Sequence, residues 1–359
     1  MKIIIIFFGL FFPILLLSGC HSSGNKNSSG QVGITDMYGR QVVIPEEVDK
    51  IAGVGPGALR LLVYMGLANR ISGIEDVELR PGRPYAFAWP ELLEKPIIGP
   101  YMGGDAELIT FNAPDVIFMA FSSASDADQL QKNTGIPVVA LNSGNLRNAR
   151  DLFFEALTLT GRITGKGERA DSLKHFVMSQ IQLLDSLTSS EADKTKLTAY
   201  VGGVSFRGAN GIASTEAHYT PFVFTNIRNV AGDLNVKESV NPTGTYVDIE
   251  QIILWNPDFM FIDGAGLDLV QRDITSGSPL AETLRAFEKG NVYTLMPHNW
   301  YSTNFENVLI NSWFVGKTIY PGTFSGFCFE QKAREIYRFM LGRDVFDKMK
   351  STYNGWEKL

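Results

Sequence analysis

The stretch Glu107-Leu-Ile-Thr-Phe-Asn-Ala-Pro114-Asp115-Val-Ile-Phe-Met recurs in the second half of the chain as Glu250-Gln-Ile-Ile-Leu-Trp-Asn-Pro257-Asp258-Phe-Met-Phe-Ile. Each copy predicts a short helix opened by a glutamate, a Pro-Asp turn seven residues later, and then a strand. The helix dipole favours a carboxylate near its N-terminus. Proline cannot continue a helix, and the unbroken apolar run beyond it suits a parallel strand covered on both faces. Any helix–turn–strand junction converges on such a pattern. One copy in each half, on either side of a long helical section, predicts duplicated lobes.

The rest of the pattern agrees. From residue 34 to about 145, strand candidates (Lys50 to Val54, Arg70 to Ile74, Asp115 to Met119, Pro137 to Leu141) alternate with helical stretches, one opened by Pro56-Gly57. Alternation of this kind predicts an α/β lobe. A helical section follows, with Ala149 to Thr160 at helical spacing and Gly161, Gly165 and Gly167 as punctuation. A longer helix runs from about Glu168 to Leu187, with Leu173, Phe176, Val177, Ile181, Leu184 and Leu187 on one face, and Ser189-Ser190-Glu191 ends it. A second α/β stretch contains Lys196 to Val201, Phe259 to Ile262 and Asn291 to Thr294, and two C-terminal helices are expected over Glu306 to Ile319 and Glu330 to Leu341. The expected organisation is an N-terminal α/β lobe over 33–147, a helical segment over 148–190 and a C-terminal α/β lobe over 191–359.

The N-terminus carries Lys2 and then an apolar run from Ile3 to Leu17. That run is about fifteen residues, the length of a signal h-region and short of the roughly 20 needed to span a bilayer. It stops at Leu17-Ser18-Gly19-Cys20, which looks like a bacterial lipobox. The expectation is a signal peptide over 1–19, lipid on Cys20 and a flexible Ser/Asn/Gly tether over 20–32, so that the chain hangs from a membrane by acyl chains. An ordinary cleaved signal or a short uncleaved anchor is the alternative. A formal charge of −6 with pI near 5.4 argues against a nucleic-acid surface. Beyond Cys20 the only cysteine is Cys328, which excludes an internal disulfide in the mature chain. Within Gly326-Phe-Cys-Phe it is expected to be a buried small apolar residue.

Further segments are Ile34-Thr-Asp-Met-Tyr-Gly-Arg-Gln, the Val48-Asp-Lys-Ile-Ala strand and Gly161-Arg-Ile-Thr-Gly-Lys-Gly-Glu-Arg-Ala170. Taken in order and spacing with the two Glu…Pro-Asp copies, they resemble the substrate-binding lipoproteins of ABC importers for iron-siderophores, haem and cobalamin. The resemblance covers essentially the whole mature chain. It implies two Rossmann-like lobes with central, mostly parallel sheets joined by a single bridging helix, the class III periplasmic binding protein architecture. It also implies a monomer with no intrinsic cofactor and no catalysis, whose partners are an ABC permease and its ATPase. By motif position, Glu107 and Glu250 are the implied permease-docking residues. Two exposed carboxylates on separate lobes suit such steering, since paired charges set orientation and on-rate. The alternative is that they only complement helix dipoles.

Other motifs weigh less. Gly53-Val-Gly55-Pro-Gly57-Ala58, with Glu75 and Asp76 some twenty residues on, matches a dinucleotide fingerprint on paper, but a tight turn bringing backbone close to a ligand is the favoured reading. Neither H-E-x-x-H nor G-x-S-x-G occurs, and the histidines at 21, 175, 218 and 298 have no zinc spacing. An exported α/β enzyme therefore lacks a nucleophile–base pair to rest on.

Ligands of open α/β lobes bind beyond the carboxyl ends of the strands. The loops expected there carry Arg83, Tyr85, Trp89, Tyr101 and Met102 in the first lobe, and Arg207, His218, Tyr219, His298, Trp300 and Tyr301 in the second. Aromatic rings supply rigid apolar contact and arginine grips anionic groups in a bidentate way, while Tyr or His can ligate iron or cobalt. Packing and surface ion pairs are the competing roles for each residue taken singly. A ferric chelate is the first expectation for the ligand, a corrinoid or haem the second, and a small oxyanion such as molybdate the third.

Overall fold

The computed structural model describes residues 30–206, 208–236 and 245–359. The signal and tether with Cys20, and the loop residue Arg207, lie outside the described residues.

A hairpin of β1 (Gln31–Thr35) and β2 (Gln41–Pro45) leads into a parallel sheet of β3 (Ile51–Val54), β4 (Val116–Ala120) and β5 (Val138–Leu141), in that order. The second lobe contains β6 (Thr198–Gly202), a small antiparallel pair of β7 (Ser214–Thr215) and β9 (Thr245–Tyr246), and β8 (Arg228–Asn229). With β10 (Phe259–Asp263) and β11 (Val292–Leu295), its parallel sheet has the order β11-β10-β6-β8. The two copies of the repeat form the same piece of each lobe. Helix Ala106–Asn112 precedes β4, which lies between β3 and β5; helix Ile249–Trp255 precedes β10, which lies between β6 and β11.

The Pro-Asp step does more than stop a helix. Each helix ends on a left-handed residue with nearly the same backbone, Ala113 at φ 43°, ψ 62° and Asn256 at φ 43°, ψ 65°. The Asp115 carboxylate then accepts from the backbone N–H groups of Asp49 and Lys50 at 2.9 and 2.8 Å. The Asp258 carboxylate accepts from the N–H and hydroxyl of Thr198 at 3.1 and 2.9 Å. In both lobes the aspartate ties the start of one strand to the start of its neighbour and so sets the register.

Helix Arg150–Thr164 leads into the bridge, helix Gly167–Thr195. At 1.5 Å per residue the bridge is about 44 Å long. Its buried face carries Leu173, Phe176, Val177 and Leu184, with Ile181 and Leu187 partly covered. Gly161 lies inside its helix rather than breaking it, because the two helices approach closely there: a Cβ at Gly161 would lie 3.1 Å from that of Ala170. The bridge also continues past Ser189-Ser190-Glu191 to Thr195. Lys194 pairs with Glu191 at 2.8 Å in that last turn, and Lys196 at φ 51° ends the helix. The expected strand over Arg70 to Ile74 is reduced to single bridges, Ile51 to Ile71 and Ile74 to Ile97, with a short 3-10 turn at Ala68–Arg70.

Strand alternation divides the core. In β4, Val116 and Phe118 face a core shared by the whole molecule while Ile117 and Met119 face an outer cluster of the first lobe. In β10, Phe261 faces the shared core and Met260 and Ile262 an outer cluster of the second lobe. The shared core runs along the bridge and takes in the C-terminal helices Phe305–Ile319 and Phe329–Leu341. Although these helices fall in the second lobe by sequence, Phe329–Leu341 packs against helices Ala58–Tyr64 and Pro84–Ala88 of the first. Cys328 is exposed rather than buried: it caps that helix while Phe324 and Phe327 turn inward onto Trp313. Among the described residues, no helix is long and apolar enough to cross a membrane.

Candidate functional site: the cleft between the lobes

The carboxyl ends of both sheets point toward the seam between the lobes. At the end of β3, Gly55 turns the chain at φ 86°, and a Cβ there would lie 2.3 Å from the Ala120 carbonyl oxygen, so only glycine fits. The Gly55 N–H donates to the Glu75 carboxylate at 2.9 Å. The acid that matched a nucleotide fingerprint by spacing is thus consumed inside the protein. Gly103 N–H (3.2 Å) and the Tyr301 hydroxyl (2.7 Å) also donate to Glu75, and the last of these crosses from the second lobe.

Tyr301 is the centre of the mouth. Its oxygen accepts from Met102 N–H at 3.3 Å, and its ring lies 5.3 Å from that of Tyr101. Tyr101 and Met102 are exposed on the outer side, as is Phe121 at the end of β4. Met102, Phe121, Tyr301 and Ser302 all have positive φ, between 50° and 73°. Left-handed backbone is costly for such side chains and persists where the surroundings over-determine it, which is common at binding sites.

Deeper in the seam lies a residue that the sequence argument missed. Arg60, in a helix whose seven residues are all buried, donates to Asn304 Oδ1 (2.9 Å) and to the carbonyls of Thr303 (2.8 Å), Trp300 (2.7 Å) and Tyr301 (3.0 Å). Beside it the Tyr64 hydroxyl donates to the buried Glu306 carboxylate. A lone arginine in the otherwise apolar run Ala58-Leu-Arg-Leu-Leu-Val-Tyr64 was the available signal.

The other expected residues divide into groups. Arg83 is fully buried, 5.1 Å over the Trp300 ring, with its Nε 3.0 Å from Glu78 and its Nη1 without a hydrogen-bond partner among the described residues. Tyr85 is buried and donates to Glu78 at 2.7 Å. The Trp300 indole N–H donates to the Pro81 carbonyl at 3.0 Å, another tie across the seam. Trp89 is placed elsewhere: it donates to the Leu341 carbonyl at 2.8 Å and stacks under Arg343, which joins the lobes on the side of the C-terminal helices. In the second lobe, buried His298 lies 5.5 Å from the Tyr219 ring and 3.4 Å from Glu216, with its Nδ1 unpartnered among the described residues. Asp263, at the end of β10, accepts from the N–H and hydroxyl of Ser205 at 3.5 and 3.4 Å. His218 is half-buried, and Glu107 and Glu250 are exposed in the first turns of their helices.

Burial dominates the electrostatics. It raises Glu75, against hydrogen bonds from Tyr301, Gly55 and Gly103, and raises Glu78 and Glu306 against the charges of Arg83 and Arg60 respectively. It likewise raises Asp263 against the charge of His298. Burial pulls His298 down, but Glu216 and Asp263 outweigh it and leave the imidazole above its ordinary value. A raised folded pKa contributes stability that is complete below the unfolded value and is lost as pH rises through the folded one. For the glutamates that loss begins near pH 4.5, for Asp263 near 3.8 and for His298 near 6.5. The lowered carboxyls Glu91, Asp126 and Asp347 act in the opposite sense, only in strong acid, and are exposed. The melting temperature is therefore expected to be higher at pH 5 than at pH 8 when followed by circular dichroism. A rise in melting temperature from pH 5 to 8 would show these groups to be better hydrated than their burial implies.

Among the described residues, no group of three or more His, Cys, Asp or Glu side chains is placed to hold a metal ion. The arrangement is that of a binding cleft: two sheets aim their carboxyl ends at one seam, stiffened by a helix. The comparisons give the class its name. A family model described as periplasmic binding protein matches residues 51–298. The chain belongs to that family, whose members serve ABC transporters as solute-binding components.

A curated relative, the molybdate-binding protein MolA of Haemophilus influenzae, is 22% identical over 326 residues, 85% of this chain and 89% of the relative. The solved structure of MolA bound to molybdate superposes with a TM-score of 0.68 at 18% identity, covering 87% of this chain and 98% of that one. A periplasmic solute-binding protein from Veillonella parvula gives a TM-score of 0.70 at 20% identity, covering 90% and 96%. The petrobactin-binding protein YclQ from Bacillus subtilis gives 0.58 at 17%, covering 82% and 98%. At these identities the structural likeness establishes the fold.

Proposed function

We propose that this solute-binding protein takes a compact oxyanion of the molybdate class between its lobes, rather than the ferric chelate that the sequence ranks first. The observation that carries the reading is the contact across the mouth: Tyr301 already touches Tyr101 and Met102 of the other lobe, which leaves a narrow seam for a planar macrocycle or a large chelate. The buried Arg83 Nη1 supports it, because an unpaired buried donor is costly and an anion would satisfy it; His298 Nδ1, also unpartnered among the described residues, becomes a second donor when the imidazole is protonated. MolA, similar to this chain in both sequence and structure, binds molybdate. The exposed Tyr101, Met102 and Phe121 favour the second reading, a ferric chelate resting at the outer rim.

In this reading the chain is exported, tethered through lipid on Cys20, and acts as a monomer. Glu107 and Glu250 dock it on an ABC permease, which the ATPase drives. Thermal-shift measurements with molybdate, tungstate, ferric siderophores, haem and cobalamin test the ligand. A ligand at 100 times its Kd stabilises by about 2.7 kcal/mol, so oxyanions are expected to raise the melting temperature and the chelates to leave it unchanged. A shift with a chelate and none with oxyanions would reverse the order.

A further inference from the structure

The repeat presents an apolar side chain beside each docking glutamate. Phe111 is four residues after Glu107 and Leu254 four after Glu250, the spacing that stacks two side chains on one face of a helix. They are the two most exposed large apolar residues among those described, Phe111 at 87% and Leu254 at 78%. Single exposed apolar residues are ordinary. Here the same exposure recurs at the same position of duplicated helices that share an αL exit and an aspartate tie. Among the described residues neither Glu107 nor Glu250 forms an ion pair within the chain, so both surfaces offer a free carboxylate next to an apolar side chain. The match is not complete, since the exposed Leu108 of the first lobe corresponds to Gln251 in the second.

We propose that Phe111 and Leu254 are paired apolar anchors for the membrane subunits of the importer, each entering a pocket that lies beside a cationic side chain. This rests on the docking assignment of Glu107 and Glu250. The occupant follows from the duplication: two near-identical acid-plus-apolar surfaces on one chain fit a partner that offers the same pocket twice, as a permease of two like subunits does. The charge brings the partners together and the buried apolar side chain slows release, the usual division between steering and residence.

The test places a photo-crosslinking p-benzoylphenylalanine at 107, 111, 250 or 254 of the full chain, expressed in its source cells, with Val43 on the β1–β2 hairpin as the exposed control. Adducts are identified by mass spectrometry. The expected result is an adduct with the permease polypeptide from all four positions and none from Val43. In a second arm the Phe111→Ser/Leu254→Ser protein, whose melting temperature is expected to stay unchanged, binds permease proteoliposomes at least tenfold more weakly. Permease adducts at 107 and 250 alone, with full-strength binding of the double variant, would overturn the anchors and leave the docking glutamates standing. Adducts only with a second copy of this chain, or none at all, would overturn both.

Discussion

Arg60→Met is expected to destabilise the protein by about 3–5 kcal/mol, the range for removing one charge from a buried network and leaving an opposite charge uncompensated. The guanidinium satisfies three carbonyls and an amide oxygen on the 300–304 loop, and its charge opposes the burial of Glu306. Methionine keeps much of the volume but leaves those acceptors unpaired and a carboxylate in an apolar surround, where each lost partner costs more than a hydrogen bond is worth net. Urea unfolding at pH 7 measures the loss. Adding Glu306→Gln to Arg60→Met is expected to recover part of it, because the second change removes the stranded charge. A loss under 1 kcal/mol for Arg60→Met would show that water reaches this end of the seam and that the lobes are not tied there.

Charge reversal at both docking positions, Glu107→Lys with Glu250→Lys, is expected to abolish import in cells while ligand affinity stays unchanged. Both carboxylates are exposed and take no part in the contacts of Arg60, Glu75 and Tyr301 that join the lobes, so those contacts stay intact. Reversal turns an attraction toward cationic groups of the permease into repulsion at both ends of the contact, and like-charge juxtaposition at an interface costs several kcal/mol. Each single reversal is expected to lower uptake only in part, since one lobe remains attached. Uptake at wild-type rate in the double variant would return these glutamates to the role of helix-dipole partners.

Much of the fold was legible because it is written locally. The two Glu…Pro-Asp copies predicted two equivalent helix–strand units, and the units occupy equivalent places in their sheets. Apolar spacing gave the buried face of the bridge. Misses occurred where a local signal competed with a tertiary one. Ser189-Ser190-Glu191 has the composition of a stop, yet the helix continues because the last turn supplies its own ion pair. Gly161 has the look of a breaker but is where two helices come close. Arg70 to Ile74 has strand composition, while the neighbours available to pair with it are single residues.

The cleft was harder to see for the same reason. Tyr101, Met102 and Tyr301 come together as a loop argument suggests, because turns at strand ends face the seam. Arg60 and Glu306 were invisible as a site, since only folding brings residues 60 and 300–306 into contact. Glu75 had the right spacing for one role and the geometry for another: twenty residues separate it from Gly55 in either case, and only the fold shows that its oxygens are already taken by Gly55, Gly103 and Tyr301. Trp89 has the composition of a ligand contact but stacks with Arg343, a pairing nothing near it in sequence announces.

Titration calorimetry with molybdate on three proteins tests most directly whether the ligand lies between the lobes. The wild type is expected to bind one ion per chain, and Arg83→Gln in the first lobe and His298→Gln in the second are each expected to weaken binding at least tenfold. Full affinity in either variant would mean that a single lobe holds the ligand and that the seam is not the site.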